Sequence, residues 1–232
     1  MKRNGQLRVQ AVVARLCERG QGLATFDADG VLWRGDSGNS FLLWQIENHR
    51  LTPRGERDAR QGWEAYLRGQ LGELELALLC GACMSGLKEE EVARDASRFF
   101  DREMRQSILA PVQAWARQLQ EAGVEVWIVS GSHRWLIEAG ARALGLRPDR
   151  LLPVIPSVRD GRLTGEIPEP VTYGAGKAEA IRQRLGRRPQ LALGNTIADR
   201  HMLELAETAV AIEPDEELAQ LARDRDWPVV RF

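Results

Sequence analysis

Three short apolar runs, each ending on a polar cluster and parted by helix-patterned sequence, constrain this chain most. Leu23-Ala24-Thr25-Phe26 enters Asp27-Ala28-Asp29-Gly30. Val124-Glu125-Val126-Trp127-Ile128-Val129 enters Ser130-Gly131-Ser132. Leu191-Ala192-Leu193 enters Gly194-Asn195-Thr196-Ile197-Ala198-Asp199. Short apolar runs bounded by turn residues read as buried strands. Strands alternating with helices imply a mostly parallel sheet with helices on both faces. The expected fold class is therefore α/β, with a Rossmann-like core. Ligands of such sheets sit beyond the carboxyl ends of the strands, so the polar clusters form the candidate site.

The rest of the chain fills in around these runs. From Ser37 to about Arg105 the pattern is helical, with candidates over Phe41–His49, Arg54–Arg68, Glu73–Cys83 and Glu89–Met104. Gly35, Pro53, Gly72 and Gly86 fall where breaks are expected. Further helices are expected over Pro111–Glu121, His133–Leu144, Ala175–Leu185 and Asp199–Glu207. Leu151–Ile155, Ala209–Ile212 and Val229-Val230 read as strands, and Asp160-Gly161 as the turn of a hairpin. Residues 1–36 and 106–232 then form the core, and 37–105 a helical cap inserted after the first strand.

Composition excludes several function classes. The 232 residues carry 32 Lys+Arg against 33 Asp+Glu, a net charge of −1. Such a balance lacks the positive surface that grips nucleic acid or an anionic membrane. No apolar run nears the roughly 18 residues that cross a bilayer. The basic start, broken by Arg8, Gln10 and Arg15, reads as an amphipathic helix rather than a secretory signal, and the protein as cytoplasmic. Three cysteines make no disulfide framework.

Carboxylates, a hydroxyl, an amine and glycines at converging strand ends suit a hard metal ion and a phosphate. The set resembles the haloacid dehalogenase-like superfamily, in its phosphoserine-phosphatase-like branch. Asp27-Ala28-Asp29-Gly30-Val31-Leu32 matches its DxDGxL motif, Ser130 its second, Lys177 its third, and Gly194–Asp199 its fourth, usually GDxxxD. The resemblance implies a Mg²⁺-dependent phosphatase acting on a small phosphomonoester. Asp27 would be the nucleophile and Asp29 the general acid/base. Ser130, Gly131 and Lys177 would hold phosphoryl oxygens. Mg²⁺ would sit on Asp27, the Asp29 backbone carbonyl and Asn195. Asp199 would support Lys177 or metal-bound water. The motif departs from the family at Asn195, where Asp is usual, which removes one negative charge and implies weaker metal binding. Ala198 stands where Asn is frequent.

Other residues carry a plainer reading beside a functional one. Ser130 can cap the helix that follows. Asp36 is expected to cap the helix beginning at Ser37, and is also the candidate for a cationic substrate group. Trp33, Trp44 and Trp63, with Tyr66, read as cap packing before an aromatic cage. Cys80 and Cys83 form a CxxC within a helix and read as two small buried thiols rather than a redox pair or zinc site. His201 and the Arg182–Arg188 run read as solvated surface. The rival functions are a catalytically silent binding protein, a thiol redox protein, and transfer of phosphate to an acceptor other than water.

Overall fold

The computed structural model describes residues 2–232, so Met1 of the expected N-terminal helix lies outside it. The chain runs α1 (Lys2–Arg19), β1 (Leu23–Phe26), α2 (Ser37–Glu47), α3 (Pro53–Leu67), α4 (Glu73–Cys83) and α5 (Glu89–Phe99). It continues with α6 (Ala110–Glu121), β2 (Glu125–His133), α7 (Arg134–Leu144), β3 (Leu151–Val154), β4 (Val158–Arg159) and β5 (Arg162–Leu163). The last elements are α8 (Ala175–Leu185), β6 (Leu191–Gly194), α9 (Arg200–Leu205), β7 (Thr208–Ile212), α10 (Glu216–Asp224) and β8 (Val229–Val230). No described helix is long and apolar enough to cross a membrane.

Six strands form one parallel sheet in the order β3-β2-β1-β6-β7-β8. Central β1 is buried at all four positions, because helices cover both faces. This is why its apolar run is continuous rather than alternating. The strand order reverses between β1 and β6, which opens a crevice beyond their carboxyl ends. The α/β expectation and the parallel core hold.

Helices α2 to α5 lie between β1 and α6, and the chain leaves and returns side by side. Trp33 bridges Ile108, Arg34 N–H donates to the Ser107 carbonyl at 2.9 Å, and Leu109 N–H to that of Leu32 at 2.9 Å. The aromatics pack this region. Trp44 stacks on Phe41 with ring centres 5.8 Å apart, and buried Trp33 meets Phe100 edge-on at 4.9 Å. Gly140 must be glycine here, since a Cβ would lie 2.5 Å from the Trp33 ring. Trp63 packs on Tyr66.

Two local expectations shift and one holds. The helix expected over Glu89–Met104 is α-helical only to Phe99; a π-turn over Phe100–Met104 then buries Phe100 and Met104 while Asp101–Glu103 face solvent. Strand β2 runs on through Ser130–Ser132 to His133, which pairs with Val154 after a register irregularity. The hairpin at Asp160-Gly161 is present, both turn residues having positive φ (52° and 73°), as its tight turn requires. It also reaches the α4–α5 connection: Leu163 N–H donates to the Leu87 carbonyl and Glu89 N–H to that of Gly161, each at 2.9 Å.

Candidate active site

Asp27 and Asp29 follow β1 into a cavity of about 450 Å³, also lined by Gly131, Ser132, Lys177 and Asn195. Lys177, in the first turn of α8, is buried. Its ammonium donates to Oδ1 of Asp27 at 2.6 Å and to Oδ1 of Asp199 at 2.5 Å. Close approach of two backbones makes this possible. Gly176 passes the Val171 carbonyl where a Cβ would stand 1.8 Å from the oxygen, and Gly194 lies where a Cβ would stand 2.6 Å from Cβ of Asp199.

The electrostatics of the cluster are tight. Burial alone would pull the Lys177 ammonium down, but the Asp199 and Asp27 carboxylates outweigh it and hold it above the usual lysine range. Burial, then the Asp199 charge, pushes the Asp27 carboxyl well above the usual carboxylate range, and Lys177 works against both. Asp199 is fully buried and does not line the cavity. Besides Lys177 it takes the Asn195 N–H at 2.8 Å and the Thr196 N–H at 3.2 Å, so it shapes the loop that carries Asn195.

Three donors fix Asp29. Trp33 Nε1–H and the Ser37 N–H bond to Oδ1 at 2.7 and 2.6 Å, and the Ser132 hydroxyl to Oδ2 at 2.7 Å. Ser130 is fully buried below the cavity wall, and its hydroxyl accepts the Ser132 N–H at 3.0 Å. It does not cap α7: the residue at that cap is His133, because β2 extends past the serine. Gly131 passes under Tyr173, where a Cβ would lie 3.3 Å from the ring.

Three residues that line the cavity carry oxygens suited to a hard cation. Among the described residues, Oδ2 of Asp27, the Asp29 carbonyl and the Asn195 side-chain amide accept or donate no hydrogen bond. One carboxylate, one carbonyl and one amide oxygen fit Mg²⁺ in donor type. No cluster of three His, Cys, Asp or Glu side chains able to hold a metal occurs among the described residues. All three cysteines are free; Cys80 and Cys83 are buried, and burial pushes the Cys83 thiol up to about 11, far from a reactive thiolate.

Asp36 is the expected cap and also lies in the cavity lining. Its Oδ1 accepts the Asn39 N–H at 2.8 Å at the start of α2. The tryptophans pack and do not line the cavity, although Tyr66 does. His201 and the arginines of 182–188 are exposed. Sequence reasoning gave no role to Ser132, Glu73, His133 or Tyr173. Ser132 carried a signal, a second serine in the phosphate-loop cluster. The others meet the site only through the fold, as when the Tyr173 hydroxyl donates to Glu73 Oε2 at 2.8 Å between the α8 entry and α4.

Paired carboxylates and a buried lysine at the switch point of a parallel sheet define a hydrolase of the α/β class. The chain belongs to the haloacid dehalogenase-like hydrolase family, whose model matches residues 24–204. It is 32% identical over 221 residues to a phosphoserine phosphatase of Mycobacterium tuberculosis strain H37Rv, covering 90% of this chain and 70% of that protein. It is 33% identical over 156 residues to a putative hydrolase of Mycobacterium leprae, covering 65% of this chain and only 51% of that relative. A Bordetella pertussis protein of unknown function shares the fold, with a TM-score of 0.79 at 24% identity over 90% of this chain and 97% of that one.

Proposed function

We propose that this protein is a cytoplasmic Mg²⁺-dependent phosphatase that hydrolyses a small phosphomonoester through an aspartyl-phosphate on Asp27. The observation that carries this is the buried Asp27–Lys177–Asp199 cluster beside Asp29, at the floor of one cavity. The hydrolase family and the phosphatase named among the relatives support it.

Lys177 donates to Oδ1 of Asp27 and favours the ionised carboxylate that attacks phosphorus. As the new P–O bond forms, the bond to the alcohol oxygen breaks, and protonated Asp29 gives that oxygen its proton. Asp29, now ionised, takes a proton from the water that attacks the phosphorus. Inorganic phosphate leaves and Asp27 is restored. Of the three donors to Asp29 only the Ser132 hydroxyl can rotate and become an acceptor, so Oδ2 is the oxygen that carries the proton. Lys177 and the Gly131 backbone, which line the cavity, hold the phosphoryl oxygens, and the Ser130 hydroxyl beneath them braces the loop through the Ser132 N–H. Asp199 keeps Lys177 charged and in place. Mg²⁺, held by Asp27, the Asp29 carbonyl and Asn195, would offset phosphoryl charge.

The test is phosphate release from a panel of phosphomonoesters, with Mg²⁺ or EDTA, for the protein and Asp27→Asn. Release that needs Mg²⁺ and vanishes in the variant is expected. A folded protein that releases phosphate from none of them overturns the reading in favour of a binding role; a phosphorylated acceptor without free phosphate selects the transferase.

A further inference from the structure

We propose that the substrate is an amino-alcohol phosphate: its alcohol part carries a cationic amine and no carboxylate. This rests on the phosphatase reading and narrows it to one chemical class.

Beyond the Asp27–Lys177 end, the cavity is lined by Asp36, Asn39, Tyr66, Glu73, His133 and Tyr173. Lys177 is the only cation among the described lining residues, and its ammonium is already held by two carboxylates. A substrate carboxylate placed here would leave water to face Asp36 and Glu73 with no partner, an unfavourable transfer. An ammonium meets the opposite situation. Asn39 donates to both oxygens of Asp36, and Tyr173 to one oxygen of Glu73, so each carboxylate keeps lone pairs for a further donor. Tyr66 and Tyr173 line the same cavity, and a tyrosine ring attracts a cation.

His133 lines the same cavity and is 6% exposed, with its Nε2 buried beside Gly81 and without a hydrogen-bond partner. Burial keeps this imidazole neutral, so it adds no cation to the lining. The carboxylates come from two elements, Asp36 before α2 and Glu73 on α4.

The experiment compares kcat/KM of the full chain on O-phosphoethanolamine, O-phosphoserine and p-nitrophenyl phosphate. A preference of about tenfold or more for phosphoethanolamine over phosphoserine is expected. Equal or better turnover of phosphoserine overturns the inference, while turnover of p-nitrophenyl phosphate leaves the phosphatase reading standing. If no ester is hydrolysed, the phosphatase reading falls by itself, and calorimetric binding of the two amine esters decides: tighter phosphoserine binding overturns the inference. Glu73→Gln is expected to shrink the preference severalfold, because it removes charge that repels the phosphoserine carboxylate. A purely structural Glu73 lowers both esters alike and counts against the proposal.

Discussion

Ser132 donates its hydroxyl to Oδ2 of Asp29 across 2.7 Å, and so ties the end of β2 to the loop after β1. The bond orients the carboxyl proposed to move the proton in both half-reactions. Losing one hydrogen bond to a charged group costs about 1.5–3 kcal/mol. Ser132→Ala is therefore expected to lower kcat about tenfold or more, with a smaller change in KM. Steady-state kinetics check it; an unaltered kcat would remove Ser132 from the acid/base step.

Lys177 lies between two buried carboxylates, so Lys177→Met leaves Asp27 and Asp199 facing each other without a cation. Breaking a buried ion pair on one side costs about 3–5 kcal/mol. The melting temperature of the variant is expected to fall, and phosphate release to vanish. The pH dependence has a definite sign. The folded pKa of Lys177 is raised, so its stabilising contribution is complete below the ordinary lysine value of about 10.4 and fades as pH rises past it. Acidification relieves the variant, because protonating one carboxyl removes the repulsion. Thermal unfolding from pH 5 to 11 should show a gap widest near neutrality; a gap constant over that range would be the wrong result.

Burial holds the His133 imidazole down at about 4, against 6.5 in the unfolded chain. Between those values the unfolded chain binds more protons, so stability falls as pH drops from 6.5 to 4. The difference corresponds to about 3 kcal/mol at most. Denaturant unfolding of the protein and His133→Gln at pH 7, 5.5 and 4 isolates this contribution from the carboxylates. The variant is expected to lose less stability on acidification; parallel curves would mean that His133 is protonated or exposed in the native state.

Strand ends are legible in this chain because local sequence dictates them. A buried parallel strand needs an unbroken apolar run, and a polar cluster must follow where it meets the crevice, as at Phe26-Asp27 and Leu193-Gly194. The proposed catalytic set rides on those ends, with Asp27 and Asp29 after β1 and Asn195 after β6 lining one cavity. Asp36 is legible as a cap for the same local reason. The far wall of the cavity is not. Glu73 and Tyr173 are 100 positions apart and become neighbours only when α4 folds over the sheet. His133 looks like a helix start, since nothing local says that β2 continues through two serines and a glycine. The attachment of the hairpin to the α4–α5 connection is likewise a long-range pairing without a side-chain pattern.

Asn195 rests directly over Gly30. The glycine has φ 76°, and a Cβ on it would stand 1.9 Å from Nδ2 of the amide. Both positions therefore bear on the metal site proposed between Asp27 and Asn195. Replacing the neutral amide by a carboxylate adds one charge beside Asp27, and a gain of about 1.4 kcal/mol in cation attraction is about tenfold in affinity. Asn195→Asp is thus expected to reach half of its Mg²⁺-induced rise in melting temperature at about a tenth of the Mg²⁺ concentration. Gly30→Ala is expected to do the reverse, since its methyl group displaces the amide and strains a left-handed backbone. The readout is thermal, so it does not depend on turnover. An Asn195→Asp protein whose melting temperature responds to Mg²⁺ no more sensitively than the parent would place the cation elsewhere.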